Sequence, residues 1–119
     1  MKSKSIIKDK SFTYAVKIVR KYQYLTETKK EFILSKQLLR SGTSVGALVR
    51  EAQNAETIKD FIHKLGISQK ECDESMYWLE LLKATEYLSD MEFSEVNDFA
   101  EELPRMIRSA ILTSKNKLS

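Results

Sequence analysis

The sequence is poor in the residues on which most catalytic, secreted or β-rich proteins depend. Cys72 is the only cysteine among 119 residues and His63 the only histidine. An intrachain disulfide and a multi-cysteine zinc site are thereby excluded, and a reducing, cytoplasmic compartment is expected. A single proline, Pro104, and three glycines, Gly42, Gly46 and Gly66, supply too few turn formers for an all-β chain. No run approaches the roughly 18 apolar residues of a membrane span. The Ile6-Ile7 pair that follows Lys2 and Lys4 is too short for a secretory apolar segment, so no membrane partner is expected.

What the chain has is charge and helix formers. With 31% charged and 42% hydrophobic residues, it reads as one globular domain over residues 1–119 with a single core, flexible at about 1–9 and 116–119. The net charge of +3 hides a polarity: residues 1–50 carry 12 basic and 3 acidic groups, whereas residues 71–102 carry eleven acids and one base, Lys83. Such a chain presents two electrically opposite surfaces to its partners.

Apolar spacing predicts four helices. Phe12, Ala15, Val16, Val19 and Tyr22 or Gln23 recur at i, i+3, i+4, i+7, predicting a first helix over about 11–25 with that face inward. Thr28 and Glu31 read as a capping box opening a second helix over about 29–54, with Leu38, Gly42, Val45, Val49 and Ala52 inward. Thr57 is the expected N-cap of a third helix reaching about residue 88, with a stripe through Ile58, Phe61, Ile62, Leu65, Cys72, Met76, Leu79 and Leu82. Ser94 is the expected cap of a fourth, whose inward face runs from Val96 through Phe99, Ala100, Leu103, Ile107 and Ala110 to Ile111. Pro104 should kink or split it. The expected fold is all-α, an antiparallel up-down-up-down four-helix bundle.

Two helices carry apolar groups beyond one face. Tyr14 and Ile18 in the first, and Tyr77, Trp78 and Leu81 in the third, stand beside the inward stripes and are the expected subunit contacts of a homo-oligomer. The charge polarity suggests that copies meet head to tail, a geometry that closes into rings. Gly42 and Gly46 share one face, where each costs about 1 kcal/mol relative to Ala, a cost that close approach of a neighbouring helix explains. No G-K-[ST] ending follows them, so they do not read as a phosphate loop.

Candidate sites are few. Arg40 and Glu51 share a face of the second helix and Glu71 and Glu74 a face of the third, so these four are expected in structural ion pairs. Asp60-x-x-His63 offers half of a di-metal site, but the second histidine that such a bundle needs is missing; no metal or cofactor is expected. Cys72 lies on a buried stripe without a base partner. Lys17, Arg20, Lys21, Lys29, Lys30, Lys36 and Arg50 form the candidate RNA- or DNA-binding surface, interleaved with Tyr14, Tyr22 and Tyr24 as stacking groups. An ordinary solvated helix face explains the same charges equally well.

The run Ser35-Lys36-Gln37-Leu38-Leu39-Arg40-Ser41-Gly42-Thr43-Ser44-Val45-Gly46-Ala47, followed by Arg50-Glu51-Ala52, resembles the four helix bundle family encoded by intervening sequences in bacterial 23S rRNA genes. Asp60-Phe61-Ile62-His63-Lys64-Leu65, Ile67, Lys70-Glu71, Glu74 and Tyr77-Trp78-Leu79-Glu80-Leu81-Leu82 resemble that family's second signature. The resemblance covers about residues 10–115. It implies an antiparallel bundle assembled as a homopentameric ring and no enzymatic activity. The family is similar to the accessory variability protein of diversity-generating retroelements, which implies nucleic acid and a reverse transcriptase as possible partners. Leu48 departs from the usual Asn, Ser68 from the usual Ala, and Pro104 is unusual in the last helix. Two readings follow: an oligomeric nucleic-acid binder, or a protein-interaction adaptor with no direct nucleic-acid role.

Overall fold

The computed structural model describes residues 2–118, which form four helices: α1 (Lys2–Glu27), α2 (Leu34–Gln53), α3 (Ile58–Ala84) and α4 (Asp90–Leu118). Consecutive helices pack side by side, and α4 closes against α1. The result is the expected antiparallel up-down-up-down bundle, a rod of 49 × 21 × 20 Å.

The cause is a heptad seam on every helix, with buried residues alternating three and four apart. On α1 the seam is Ile7, Ser11, Tyr14, Ile18 and Leu25; on α2 it is Ser35, Leu38, Gly42, Val45, Val49 and Ala52. On α3 it is Leu65, Ser68, Cys72, Ser75, Leu79 and Leu82; on α4, Val96, Ala100, Leu103, Ile107 and Ser114. The inward faces of α2, α3 and α4 fall largely where the periodicity placed them, although Ile58 is exposed.

The face of α1 is reversed. Tyr14 and Ile18, expected as subunit contacts, are fully buried in the core, whereas Phe12, Val16 and Val19, expected inward, are 59%, 41% and 37% exposed. Ser11 and Lys21 occupy two seam positions and so mask the true period, which reaches back to Ile7 and draws the helix start to Lys2 rather than Ser11. The outermost residues of the tails expected to be flexible, Met1 and Ser119, lie outside the described residues.

The helix ends also differ. Thr28 does not open α2; its N–H donates to Tyr24 O and helps close α1. Glu31 is the cap, its carboxylate accepting the N–H groups of Ile33, Leu34 and Ser35 at 3.2, 2.9 and 2.7 Å. Burial opposes its ionisation, but those backbone donors and the Ser35 side chain hold its carboxyl below the usual carboxylate range. Thr57 caps α3 as expected, accepting from Asp60 N at 3.0 Å. That helix stops at Ala84, where Glu86 takes a left-handed φ of 67° and Tyr87 N–H returns to Leu82 O at 2.9 Å. The cap of α4 is Ser89 rather than Ser94: Ser89 N–H donates to Glu92 Oε1 at 2.8 Å while Glu92 N–H donates to Ser89 Oγ at 3.1 Å.

Polar contacts then tie the helices in register. Ser68 of α3 donates to Val45 O of α2 at 2.8 Å. Ser75 donates to Cys72 O at 2.7 Å, which commits its proton and makes Tyr14 of α1 the donor in the 2.7 Å bond between their hydroxyls. Burial pushes the Tyr14 phenol far above its ordinary range, so it stays protonated for that role. Pro104 does not split α4, which runs unbroken. The proline leaves Ala100 O without the N–H that a helix supplies four residues on. The Cys72 thiol donates to that carbonyl at 3.6 Å. Burial, with Asp73 adding to it, pushes this thiol up to about 12, keeping the proton that the bond needs.

Gly42 and Gly46 bring α1 and α2 together. A Cβ at Gly42 would lie 2.6 Å from Ile18 Cγ1, and one at Gly46 3.1 Å from Ser11 O. Gly66 has nothing within 4 Å of such a Cβ.

Two outcomes test this packing. In denaturant titrations, Gly42→Ala should destabilise by about 1–3 kcal/mol because stiff, buried Ile18 cannot move aside, while Gly66→Ala should stabilise by up to about 1 kcal/mol. Cys72→Ala should cost about 1–3 kcal/mol in the parent. The same change should be about 1 kcal/mol milder in a Pro104→Ala background, where the new N–H takes over Ala100 O. Equal costs in both backgrounds would show that the thiol does not serve that carbonyl.

Candidate nucleic-acid interface

The seven basic residues singled out by the sequence do not form one patch. Lys17, Arg20 and Lys21 line a groove between α1 and α4 with Val16, Glu95 and Val96. Two of them are engaged there. Lys21 Nζ lies 2.7 Å from Glu95 Oε1, and Lys17 Nζ stands 5.1 Å from the centre of the Phe99 ring. Lys10 reinforces the same seam through Glu102 at 2.8 Å. Lys29 and Lys30 are exposed on the turn after α1, where Lys30 has a left-handed φ of 58°. Lys36 and Arg50 are exposed on α2, about 21 Å apart along its axis at the usual helical rise.

Of the interleaved tyrosines, Tyr14 is buried and offers no ring face to a base, while Tyr22 and Tyr24 are half-buried, with Tyr24 packed on the core. The aromatic ring that α1 does display is Phe12. It lines a cleft of about 630 Å³ with Lys8 and Ala15 of α1, Thr43, Gly46, Ala47, Arg50 and Glu51 of α2, Asn54 after it, and Lys64 of α3. Sequence periodicity does not reveal this cleft, because it places Phe12 in the core and because Lys8 and Lys64 lie far from Arg50 along the chain. The signal that could have found it is the seam through Ile7, Ser11, Tyr14 and Ile18, which turns Phe12 outward. Among the described residues neither Lys8 nor Arg50 has a carboxylate partner.

Arg40 bridges α2 to α3. Its Nη1 lies 3.1 Å from Glu71 Oε1, its Nη2 bonds to Glu74 Oε2, and the Trp78 indole N–H donates to the same Glu74 oxygen at 3.1 Å. The Arg40 hydrogen bond, then that of Trp78, holds the Glu74 carboxyl below the usual range. Glu51 is not part of this network. It lies three turns further along α2, opposite Lys64, to which it pairs at 3.2 Å. Trp78 and Leu81 are half-buried, and Tyr77 is 57% exposed with its ring edge-on to Trp78 at 5.0 Å. His63 is exposed, and no group of three His, Cys, Asp or Glu side chains able to hold a metal occurs among the described residues. No helix among them is long and apolar enough to cross a membrane.

The family model described as 23S rRNA-intervening sequence protein matches residues 3–109. The chain belongs to that family. A crystal structure of a protein of unknown function from the S23 ribosomal protein family of Bacteroides thetaiotaomicron is similar, with 46% identity, a TM-score of 0.90, and coverage of 92% of this chain and 97% of that one. Among curated proteins none matches the chain. The family match reaches into all four helices and includes the residues of the Arg40 bridge and of the cleft.

The Arg40–Glu74 pair is partly exposed, so a double-mutant cycle should give a coupling of only about 0.2–1 kcal/mol at neutral pH. Because folding depresses the Glu74 carboxyl, that coupling is present above the unfolded carboxylate value near 4.3 and disappears as pH falls through the folded value. A cycle that keeps its full coupling in strong acid would show that the charge of Glu74 is not its source.

Proposed function

We propose that this protein is a non-enzymatic bundle whose copies associate and together hold nucleic acid through the basic half of the chain. One observation carries the reading: α1 is apolar on its solvent face as well as its core face, and cations flank the outward residues Val16 and Val19. A lone molecule gains nothing from exposing those side chains, and sharing them between copies would bury them. The exposed Tyr77 on α3 stands between Asp73 and Glu80, an acidic surface with an apolar centre that complements the basic Val16–Val19 face of α1 in another copy. Assembly multiplies a modest positive surface into a large one, which suits a polyanion better than any single cation set here does. The homopentamer implied by the family resemblance is one closed form of such an assembly.

The adaptor reading keeps one point in its favour. Lys21 and Lys10 are already neutralised by Glu95 and Glu102 of the same molecule, which removes them from a polyanion surface. The two readings differ in salt dependence. RNA or DNA affinity should fall steeply as salt rises, and replacing Arg20, Lys29, Lys30 and Lys36 by Ala should flatten the log–log slope by about 0.7–0.9 for each phosphate left without its cation. Light scattering should give a multiple of 13.8 kDa that Val16→Glu with Val19→Glu reduces to the single-chain mass. An assembled protein that binds neither RNA nor DNA at low salt would leave the adaptor, with a protein partner such as a reverse transcriptase, as the surviving reading.

A further inference from the structure

The nucleic-acid reading names a half of the molecule, and the cleft between α1 and α2 narrows it to a site. We infer that this cleft takes one nucleotide of a single-stranded nucleic acid, its base against the Phe12 ring and its phosphate between Lys8 and Arg50. The inference rests on the nucleic-acid reading above and adds the strand class and the contacts.

The case begins with the floor. Ala15, Gly46 and Ala47 present little or no side chain, so the space of about 630 Å³ opens beside Phe12 instead of being filled by its neighbours. Gly46 is small because Ser11 O lies 3.1 Å from where its Cβ would be, so the close α1–α2 contact that shapes the core also hollows the surface above it. Phe12 is 59% exposed and has no aromatic partner among the described residues, which leaves ring surface free for a flat ligand. A base offers such a surface only when it is unpaired, and a duplex keeps its bases stacked on one another.

The charges around that floor select an anion. Lys8, Arg50 and Lys64 reach it, against one acid, Glu51, and that acid is held by Lys64 at 3.2 Å. Lys8 and Arg50 remain without carboxylate partners among the described residues. The Arg50 guanidinium offers a planar fork for phosphate oxygens and Lys8 a mobile point charge. Asn54 donates its Nδ2 to Arg50 O at 3.1 Å, which turns its carboxamide and leaves Oδ1 to accept from a base edge. A second copy of the chain is the rival occupant. Covering Lys8 and Arg50 with protein would require two acids in fixed register, a demand that a flexible phosphate chain does not make.

Fluorescence anisotropy with a labelled oligouridylate, and with the same strand annealed to its complement, tests the site on the full chain at low salt. Phe12→Ala and the pair Lys8→Ala with Arg50→Ala should each weaken single-strand binding about tenfold or more. Arg105→Ala with Arg108→Ala, exposed on α4 and away from the cleft lining, should cost less than about threefold. Duplex binding should be indifferent to Phe12→Ala. Circular dichroism and light scattering on every variant report folding and assembly. If Phe12→Ala changes the mass of the particle, the Lys8 and Arg50 pair decides the question alone. Single-strand binding that survives both cleft variants but falls when Lys29 and Lys30 are replaced by Ala overturns the cleft and leaves the nucleic-acid reading standing. Cleft variants that break the assembly while each protomer still binds RNA assign the cleft to a subunit contact and also overturn the proposal. Absence of binding by every form, wild type included, overturns the nucleic-acid reading and this inference together.

Discussion

Three small polar side chains at consecutive seam positions of α3 set the register of the whole bundle. Ser68 reaches the backbone of α2, Cys72 that of α4, and Ser75 the Tyr14 hydroxyl of α1. Each lies fully buried, so each bond broken by a slip of one helix would leave a polar group unpaired at a cost of about 1–3 kcal/mol. Apolar packing alone tolerates helices sliding by a turn, because one leucine replaces another in the same hole. Hydrogen bonds to named carbonyls do not. The cost is a core with several small residues, and the helices must come close for those short side chains to reach a neighbouring backbone.

Close approach has a surface consequence. Gly42 accepts the branched Ile18 side chain where any Cβ would collide, and Gly46 accepts the backbone at Ser11. Those contacts fix the rotation of α1 with Tyr14 and Ile18 inward, and the same rotation turns Phe12, Val16 and Val19 to the outside. The exposed apolar stripe thus follows from the glycines, and it cannot be relieved by turning α1 without driving Ile18 out of its slot. Pro104 follows a similar logic: a residue that ordinarily breaks a helix is accommodated because a thiol on the facing helix takes the carbonyl it leaves open.

Much of this is legible in the sequence. The inward residues of α2 are readable because Leu38, Val45 and Val49 keep a clean period, and Thr57 announces α3 through an ordinary side-chain cap. The failures have local causes. On α1 two competing periods coexist, and the more hydrophobic one, through Phe12 and Val19, points to solvent; the true seam contains Ser11 and is recognisable only if a serine is allowed into the core. Ser89 and Ser94 both precede acids, and only the geometry at Glu92 distinguishes the cap. Glu31 caps from outside the helix with a carboxylate, so its position relative to Thr28 suggests a motif that the chain does not form. The cleft is invisible for a different reason: its cations come from three helices and meet only after folding.

The charge polarity of the sequence acquires its meaning from the same geometry. Because the bundle closes α4 against α1, part of the acidic surplus is neutralised inside the molecule, on Lys10 and Lys21 and beside the Lys-capped Phe99 ring. α2 has a different neighbour, α3, whose acids Glu71 and Glu74 gather on Arg40 and whose Lys64 occupies Glu51. Arg50, one turn before the end of α2, takes part in none of these pairings and lines the cleft together with Lys8. Internal neutralisation is therefore uneven along the rod: it is concentrated on the α1–α4 and α2–α3 seams, and Lys8 and Arg50 take no part in it. An electrostatic attraction for an anion depends on the charge left over after such pairing and not on the count of lysines, so the site proposed for an anion is the cleft with Lys8 and Arg50 and not the seam where Lys10 and Lys21 are already paired.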